Sequence, residues 1–332
     1  MRAPLRALLV AVFGAALAVA GAAAWFAHAP LDPPARPYDF TVKSGASLRT
    51  VARQLADDGL LAEPHGFWLL ARALGRAGQI QAGTYRLEAP VTPLELLDKL
   101  ARGDALPIEV AFVEGTTVRQ WLAVLAKHPH VAATEAVRDP TALRAALGID
   151  SRSVEGLLFP DTYRFLAGTK DVDILKRARD AMRRRLDEAW AARDPALPLA
   201  NAYEALVLAS IIEKETGQAS ERPLIASVFV NRLRKGMRLQ TDPTVIYGLG
   251  DAFDGNLRKR DLLADTPWNT YTRDGLPPTP IAMPGAASLE AATRPATSDF
   301  LYFVGKGDGS HQFSRTLEEH NRAVARYQLG RP

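Results

Sequence analysis

Hydrophobic and polar positions fall along this chain in blocks of distinct period. From Ala7 to Ala27 no charged residue occurs, and a run of that length matches the ~20 residues that cross a bilayer core. Leu31–Pro37 is proline-rich and predicts an extended spacer. Within Tyr38–Leu87 the pattern predicts strand, helix, helix, strand. Phe40-Thr-Val passes through Gly45 and Ser47 into Leu48, Val51 and Leu55 at helical spacing, a second helix starts at Glu63-Pro64, and Gly83–Leu87 supplies the last strand. Thr92-Pro93 opens a further helix with Leu94, Leu97 and Leu100 inward. Val113–Thr117 repeats the turn-and-cap arrangement before Val118, Trp121, Leu122 and Leu125.

The second half is more helical. Leu175, Ala178, Met182, Leu186 and Ala189 recur at helical spacing, interrupted by Arg183-Arg184-Arg185, which reads as a solvated face. After Pro195 and Pro198, Asn201 is placed to cap an apolar run, Leu206–Ile212. The next helix is predicted from a Ser220 cap through Pro223 to a stop at Gly236, with Ile225, Val228, Phe229 and Leu233 as core and Asn231 and Arg232 as structural hydrogen bonders. Asp242-Pro243 signals a cap and first turn. Asn269–Pro278 is a loop dense in breakers, of the kind that carries ligand contacts. Phe300–Val304 predicts a buried strand, Gly305–Gly309 a turn, and His311–Phe313 a return strand, before a Thr316/Glu319 capping box.

Arg2 and Arg6 precede the uncharged run with no acidic residue, so the positive-inside bias keeps the N-terminus cytoplasmic. Trp25 and Phe26 stand where an interfacial aromatic anchor belongs. Ala27-His28-Ala29 resembles a signal-peptidase site. The apolar core exceeds the usual ~7–15 residues of a signal, and Pro30 follows the cut, so a retained anchor is expected. The formal charge of +4 over 332 residues is no nucleic-acid footprint. The absence of cysteine excludes disulfides and thiolate chemistry. The six histidines show no metal spacing, no phosphate loop or nucleophile elbow occurs, and no cofactor is implied.

The chemistry concentrates at Leu206–Gly250. Glu213 and Glu215 close the apolar run, and a carboxyl at the edge of such a run has its pKa raised and can act as a general acid near neutrality. Glu213 shares a face with Leu206, Ala209 and Ser210; Glu215 shares one with Leu208, Ile211 and Ile212. Both faces are apolar, so periodicity does not choose between the two.

ASIIEKET, followed by ASERPLIASVFVNRLRKGMRLQTDPTVIYG, resembles the signature of the YceG-like family, the endolytic murein transglycosylases. EGLLFPDTYRF at Glu155–Phe165, NTYTRDGLPPTPIAMPG at Asn269–Gly285 and LYFVGKGDGSHQF at Leu301–Phe313 extend the likeness over most of Ile108–Leu329. The resemblance implies an α+β protein. Residues 1–6 would be cytoplasmic, 7–27 a transmembrane helix and 28–37 the spacer. Residues 38–104 would form a small βααβ LysM-like subdomain with its following helix, and residues 105–332 a mixed α/β catalytic domain.

Carried over residue by residue, the family motif puts the catalytic acid at Glu213, with Glu215 and Asp242 in support. Gln240 and Thr241 are candidates for sugar hydroxyls or N-acetyl groups, Tyr271 for stacking on a pyranose ring, and Asn269 for a hydrogen bond to it. The implied activity is cleavage within peptidoglycan glycan strands to leave 1,6-anhydro-muramoyl ends, with one carboxyl acting first as acid and then as base. Glycan strands, a single-pass inner-membrane setting with an extracytoplasmic catalytic domain, and neighbouring peptidoglycan synthases follow as partners. A second class stays open at this level: a non-catalytic, membrane-anchored wall-binding scaffold in which the carboxylates are structural.

Overall fold

The structure, a computed structural model, describes residues 3–43, 45–215 and 217–330; Arg2, one of the two residues behind the topology expectation, lies outside them. The chain divides into two compact units. The first comprises Met1–Glu109 with Pro129–Ala132 and Arg164–Thr169, and the second comprises Val110–His128, Ala133–Tyr163 and Lys170–Pro332.

Helix α1 (Ala3–His28) opens the first unit, and Leu8, Val10, Phe13, Leu17, Val19 and Trp25 are exposed along it. It is the one described helix long and apolar enough to cross a membrane. Of the two aromatic residues expected at the interface, Trp25 is exposed, whereas Phe26 packs against the first unit's core, where a Cβ at Gly66 would meet its ring at 3.0 Å. The spacer also differs from expectation. Leu31 and Val91 exchange backbone hydrogen bonds of 2.8 and 3.2 Å, which pins the extended segment soon after the helix ends.

Strand β1 (Tyr38–Val42), helices α2 (Leu48–Asp57) and α3 (Pro64–Ala73) and strand β2 (Gly83–Leu87) follow, with β1 antiparallel to β2 from Tyr38↔Leu87 to Val42↔Gly83. Ser47 and Glu63 cap the two helices, and Thr92 with Glu95 forms a capping box on α4 (Pro93–Arg102). Phe40, Val51, Leu55, Phe67, Tyr85, Leu97 and Leu100 are the core. Here Leu94 gives way to Leu96 as an inward residue, because a face that starts at Pro93 continues through 96, 97 and 100.

Short strands β3 (Ile108–Ala111), β4 (Val131–Ala132), β5 (Thr162–Phe165) and β6 (Thr169–Lys170) alternate with helices α5 (Val118–Lys127) and α6 (Pro140–Leu147). The second unit then builds on α7 (Asp171–Ala191), α8 (Ala202–Glu215), α9 (Arg222–Arg234), α10 (Asp242–Leu249), α11 (Lys259–Leu263) and α12 (Ala286–Thr293). Hairpin β7 (Tyr302–Gly305) and β8 (His311–Ser314) and helix α13 (Leu317–Tyr327) close it.

Helix α8 is the axis. Every residue from Ala205 to Ile212 is buried, as expected for a helix apolar all round and wrapped by α7, α9, α10 and α12. Asn201 Oδ1 accepts the Glu204 N–H at 3.0 Å and caps it. Three local expectations shift. Helix α9 begins after a 3₁₀ turn, with Glu221 rather than Ser220 at its cap position. The cap position of α10 falls on Thr241, which leaves Asp242 in the first turn. Strand β7 starts at Tyr302 and is only half buried, because its one strand partner is β8 and its other edge finds none among the described residues.

Candidate functional site

The two carboxylates that close α8 go to different places. Glu213 Oε2 accepts the Gly285 N–H at 2.9 Å, at the N-terminus of α12, and Oε1 lies 3.6 Å from Arg222 Nη2 at the start of α9. Its side chain is only 6% exposed. The carboxylate thus ties three helices together, with the favourable end of the α12 dipole on one side. Glu114 lies against the same point: a Cβ on Gly285 would collide with its carboxylate. Burial, the neighbouring Glu213 charge and, in opposition, Arg222 leave the Glu114 pKa raised.

Glu215, two residues on, faces a pocket of ≈ 440 Å³. Thr241 Oγ1 donates to its Oε1. Burial pushes its pKa up to about 7, with the nearby Asp242 charge adding to the rise and Thr241, His311 and Arg232 opposing it. Oε2 has no hydrogen-bond partner among the described residues. A carboxyl with these properties, opening on a concave polar site, is the kind of group that performs general acid catalysis.

The remaining candidates assemble around it through a single loop. Asn269 is fully buried; its Nδ2 donates to the carbonyls of Leu262 at 3.0 Å and Ala264 at 2.7 Å, and its Oδ1 accepts the Tyr271 N–H at 2.8 Å. Thr270 O accepts the Gln240 N–H at 3.2 Å, and Thr270 Oγ1 accepts the Thr241 N–H at 3.1 Å. Tyr271 Oη donates to Asp242 Oδ1 at 2.5 Å, and with burial this raises the phenol's pKa. Gln240, Thr241, Asp242 and Tyr271 therefore line the pocket with Glu215, whereas Asn269 and Glu213 do not. Gln240, at φ 51°, is the one non-glycine residue among those described with a positive φ. Such strain persists where surroundings over-determine the backbone. Here Thr270 and Arg232 do so, the latter donating from Nη1 to Leu239 O at 2.8 Å.

Several pocket residues carry no local signal in the sequence. Arg232 is buried, donates from Nε to Leu301 O at 2.7 Å and lies with its guanidinium 5.0 Å from the Tyr302 ring centroid. It is both the structural bonder expected and a wall of the site. His311 hydrogen-bonds through Nδ1 to Glu221 Oε2 at 2.7 Å and stands edge-on to Phe303. His320 stacks on Tyr302 at 5.1 Å, with its pKa lowered by burial and by Arg232. These come from α9, the hairpin and α13, and only packing brings them to one wall. A further buried carboxyl, Glu155, accepts from Val118 N–H at 3.0 Å and Tyr247 Oη at 3.2 Å, and burial raises its pKa to about 7 against both bonds.

A model of the YceG-like family matches residues 40–326. The chain belongs to the YceG-like family. Among YceG-like relatives, the endolytic murein transglycosylase of Bacillus subtilis strain 168 is 31% identical over 306 residues, covering 87% of this chain and 84% of that protein. The endolytic murein transglycosylase of Streptococcus pneumoniae strain D39 is 26% identical over 90% of this chain, which spans 60% of its length. The crystal structure of a YceG-like protein from Listeria monocytogenes has a TM-score of 0.53 and 29% identity, covering 86% of this chain and 98% of that one.

Proposed function

We propose that this protein is a peptidoglycan lytic transglycosylase acting within glycan strands, with Glu215 as its acid. Its relatives' names supply the substrate class. One observation carries the choice of residue: Glu215 is a carboxyl with a pKa near 7 in a pocket that also holds Gln240, Thr241, Asp242 and Tyr271. Glu155 shares the raised pKa, but both of its oxygens already accept hydrogen bonds. Glu213 is taken up by Arg222 and the α12 terminus, and is the positioning residue that holds the end of α8.

Protonated Glu215 donates to the glycosidic oxygen on the muramoyl side as the C1–O bond breaks. The carboxylate left behind accepts the proton of that sugar's 6-hydroxyl, whose oxygen bonds to C1. The products are a 1,6-anhydro end and a free hydroxyl on the leaving strand, and no water is consumed. Ordinary glycosidases use two carboxyl groups; here the intramolecular nucleophile replaces the second, and effective molarities of ~10⁵–10⁸ M for well-placed groups make that replacement sufficient.

Helix α1 anchors the chain, with the second unit on the extracytoplasmic side, as the arginines at its start dictate. The βααβ part of the first unit binds glycan in the manner of a LysM module, and wall synthases are the neighbours such an enzyme would serve. The deciding experiment incubates the full-length protein with purified sacculi and identifies the new ends by mass. Anhydro ends, lighter by one water than hydrolytic ends and absent with Glu215→Gln, support the reading. Binding to sacculi without any new ends would instead favour a scaffold.

A further inference from the structure

A second cavity of ≈ 730 Å³ also borders α10. Asp242, at the start of α10, walls the first pocket, and Pro243, Ile246 and Tyr247 wall the second, so one short helix contributes to both. The neighbour of Glu215 in sequence, Lys214, lines this cavity along with Gln120, Phe253 and Trp268. Tyr247 and Trp268 meet edge to face at 5.6 Å, and the Trp268 Nε1–H donates to Thr279 Oγ1 at 2.9 Å, so its ring is left as an apolar surface.

The cavity's charge is one-sided. Lys214 Nζ donates to Gly115 O at 3.1 Å, and among the described residues no carboxylate pairs with it. Arg119 at the rim is already paired with Asp251. The one carboxyl in the wall, Glu155, has both oxygens held by Val118 N–H and Tyr247 Oη, and its burial favours the neutral form. An apolar, aromatic chamber with one cation that a ligand can engage fits a carboxylate on a partly apolar chain. We propose that this cavity receives the carboxylate-bearing peptide substituent of the strand whose sugar backbone lies at Glu215, with Lys214 recognising the carboxylate. This rests on the glycan-cleaving reading above. It adds that the protein selects strands by their peptides, through a residue adjacent to the acid and a helix shared by both cavities.

The test measures equilibrium binding of soluble glycan strands, with peptides intact or removed by an amidase, to the full-length Glu215→Gln protein in detergent micelles. The readout is the ratio of affinity for peptide-bearing over peptide-free strands. Lys214→Gln, an exposed position where the fold should hold, is expected to lower that ratio about tenfold, the lower end of what a hydrogen bond to a charged group is worth. Lys214→Arg should restore most of it. An unchanged ratio overturns the proposal, as does a Lys214→Gln loss equal for the two strands. Glu215→Gln protein that still generates anhydro ends would sink Glu215 as the acid while the ratio continued to report on the peptide site. Failure to bind either strand would remove the glycan reading and the subsite together.

Discussion

Thr241 Oγ1 donates its proton to Glu215 Oε1 from the residue that opens α10, 26 positions further along the chain. The bond sets which way the acid's remaining oxygen faces. It also fastens the strained Gln240 and the Tyr271–Asp242 pair to the end of α8. Thr241→Val should therefore keep the fold and lower turnover by about tenfold, a loss equivalent to about one hydrogen bond. Initial rates on sacculi, with Thr241→Ser as the restoring variant, measure it.

Glu215→Gln and Glu213→Gln should separate chemistry from structure. Glu215→Gln is expected to lose at least ~10²-fold in turnover, the lower end of general acid catalysis, with little change in melting temperature. Glu213→Gln removes the partner of a largely buried arginine. It should cost about 1–3 kcal/mol of stability, or a fall of roughly 2–4 °C per kcal/mol for a domain of this size. Scanning calorimetry alongside the rate assay checks both; a stable, inactive Glu213→Gln would return the acid to that position.

The rate should fall as pH rises through about 7, because the acid form of Glu215 is required and burial holds its pKa there. A flat profile from pH 6 to 8 would show that some other group donates.

Glu155 provides a stability test with a defined sign. Its folded pKa of about 7 lies above that of an exposed glutamate, so the folded state binds the extra proton and loses stability as pH rises from about 4.5 to 7. Glu155→Gln cannot ionise. The melting temperature of the variant relative to wild type should therefore climb between pH 5 and pH 8, whatever constant penalty the lost hydrogen bond imposes.

Asn269→Ala would strip donors from the Leu262 and Ala264 carbonyls and an acceptor from Tyr271 N–H, all within a buried loop. The expected loss is about 2–3 kcal/mol, the scale of groups buried unsatisfied. Turnover should fall with it, because the next two residues hold Gln240, Thr241 and Asp242. Denaturant titration compared with Asn269→Asp reads the first effect.

What the sequence made legible followed from period and punctuation. The βααβ order, the caps at Ser47, Thr92, Thr117, Asn201 and Thr316, and the buried α8 are local consequences of residues a few positions apart. The choice between Glu213 and Glu215 was not local. Both end an apolar run, and they diverge only because Arg222 and Gly285 converge on one while Thr241 and the hairpin wall converge on the other. Asn269 looked like a sugar ligand because it sits in a breaker-rich loop; its contacts run inward to carbonyls close by in sequence, which no hydropathy pattern records. His311 and Arg232 reach the pocket through tertiary packing, and nothing in their flanking residues marks a pocket.

The exchange between Leu31 and Val91 bears on height. For a helix that spans the bilayer to His28, the residues before the clamp span at most ~10 Å when extended. The first unit then rides at a nearly constant altitude above the lipid headgroups, as if on a rigid post. On the proposed reading, the polymer it would meet lies within that layer, strands newly made and not yet carried outward. Lengthening the stretch between His28 and Leu31 with flexible residues, together with removing the Phe26 ring that packs at Gly66, would convert the post into a leash.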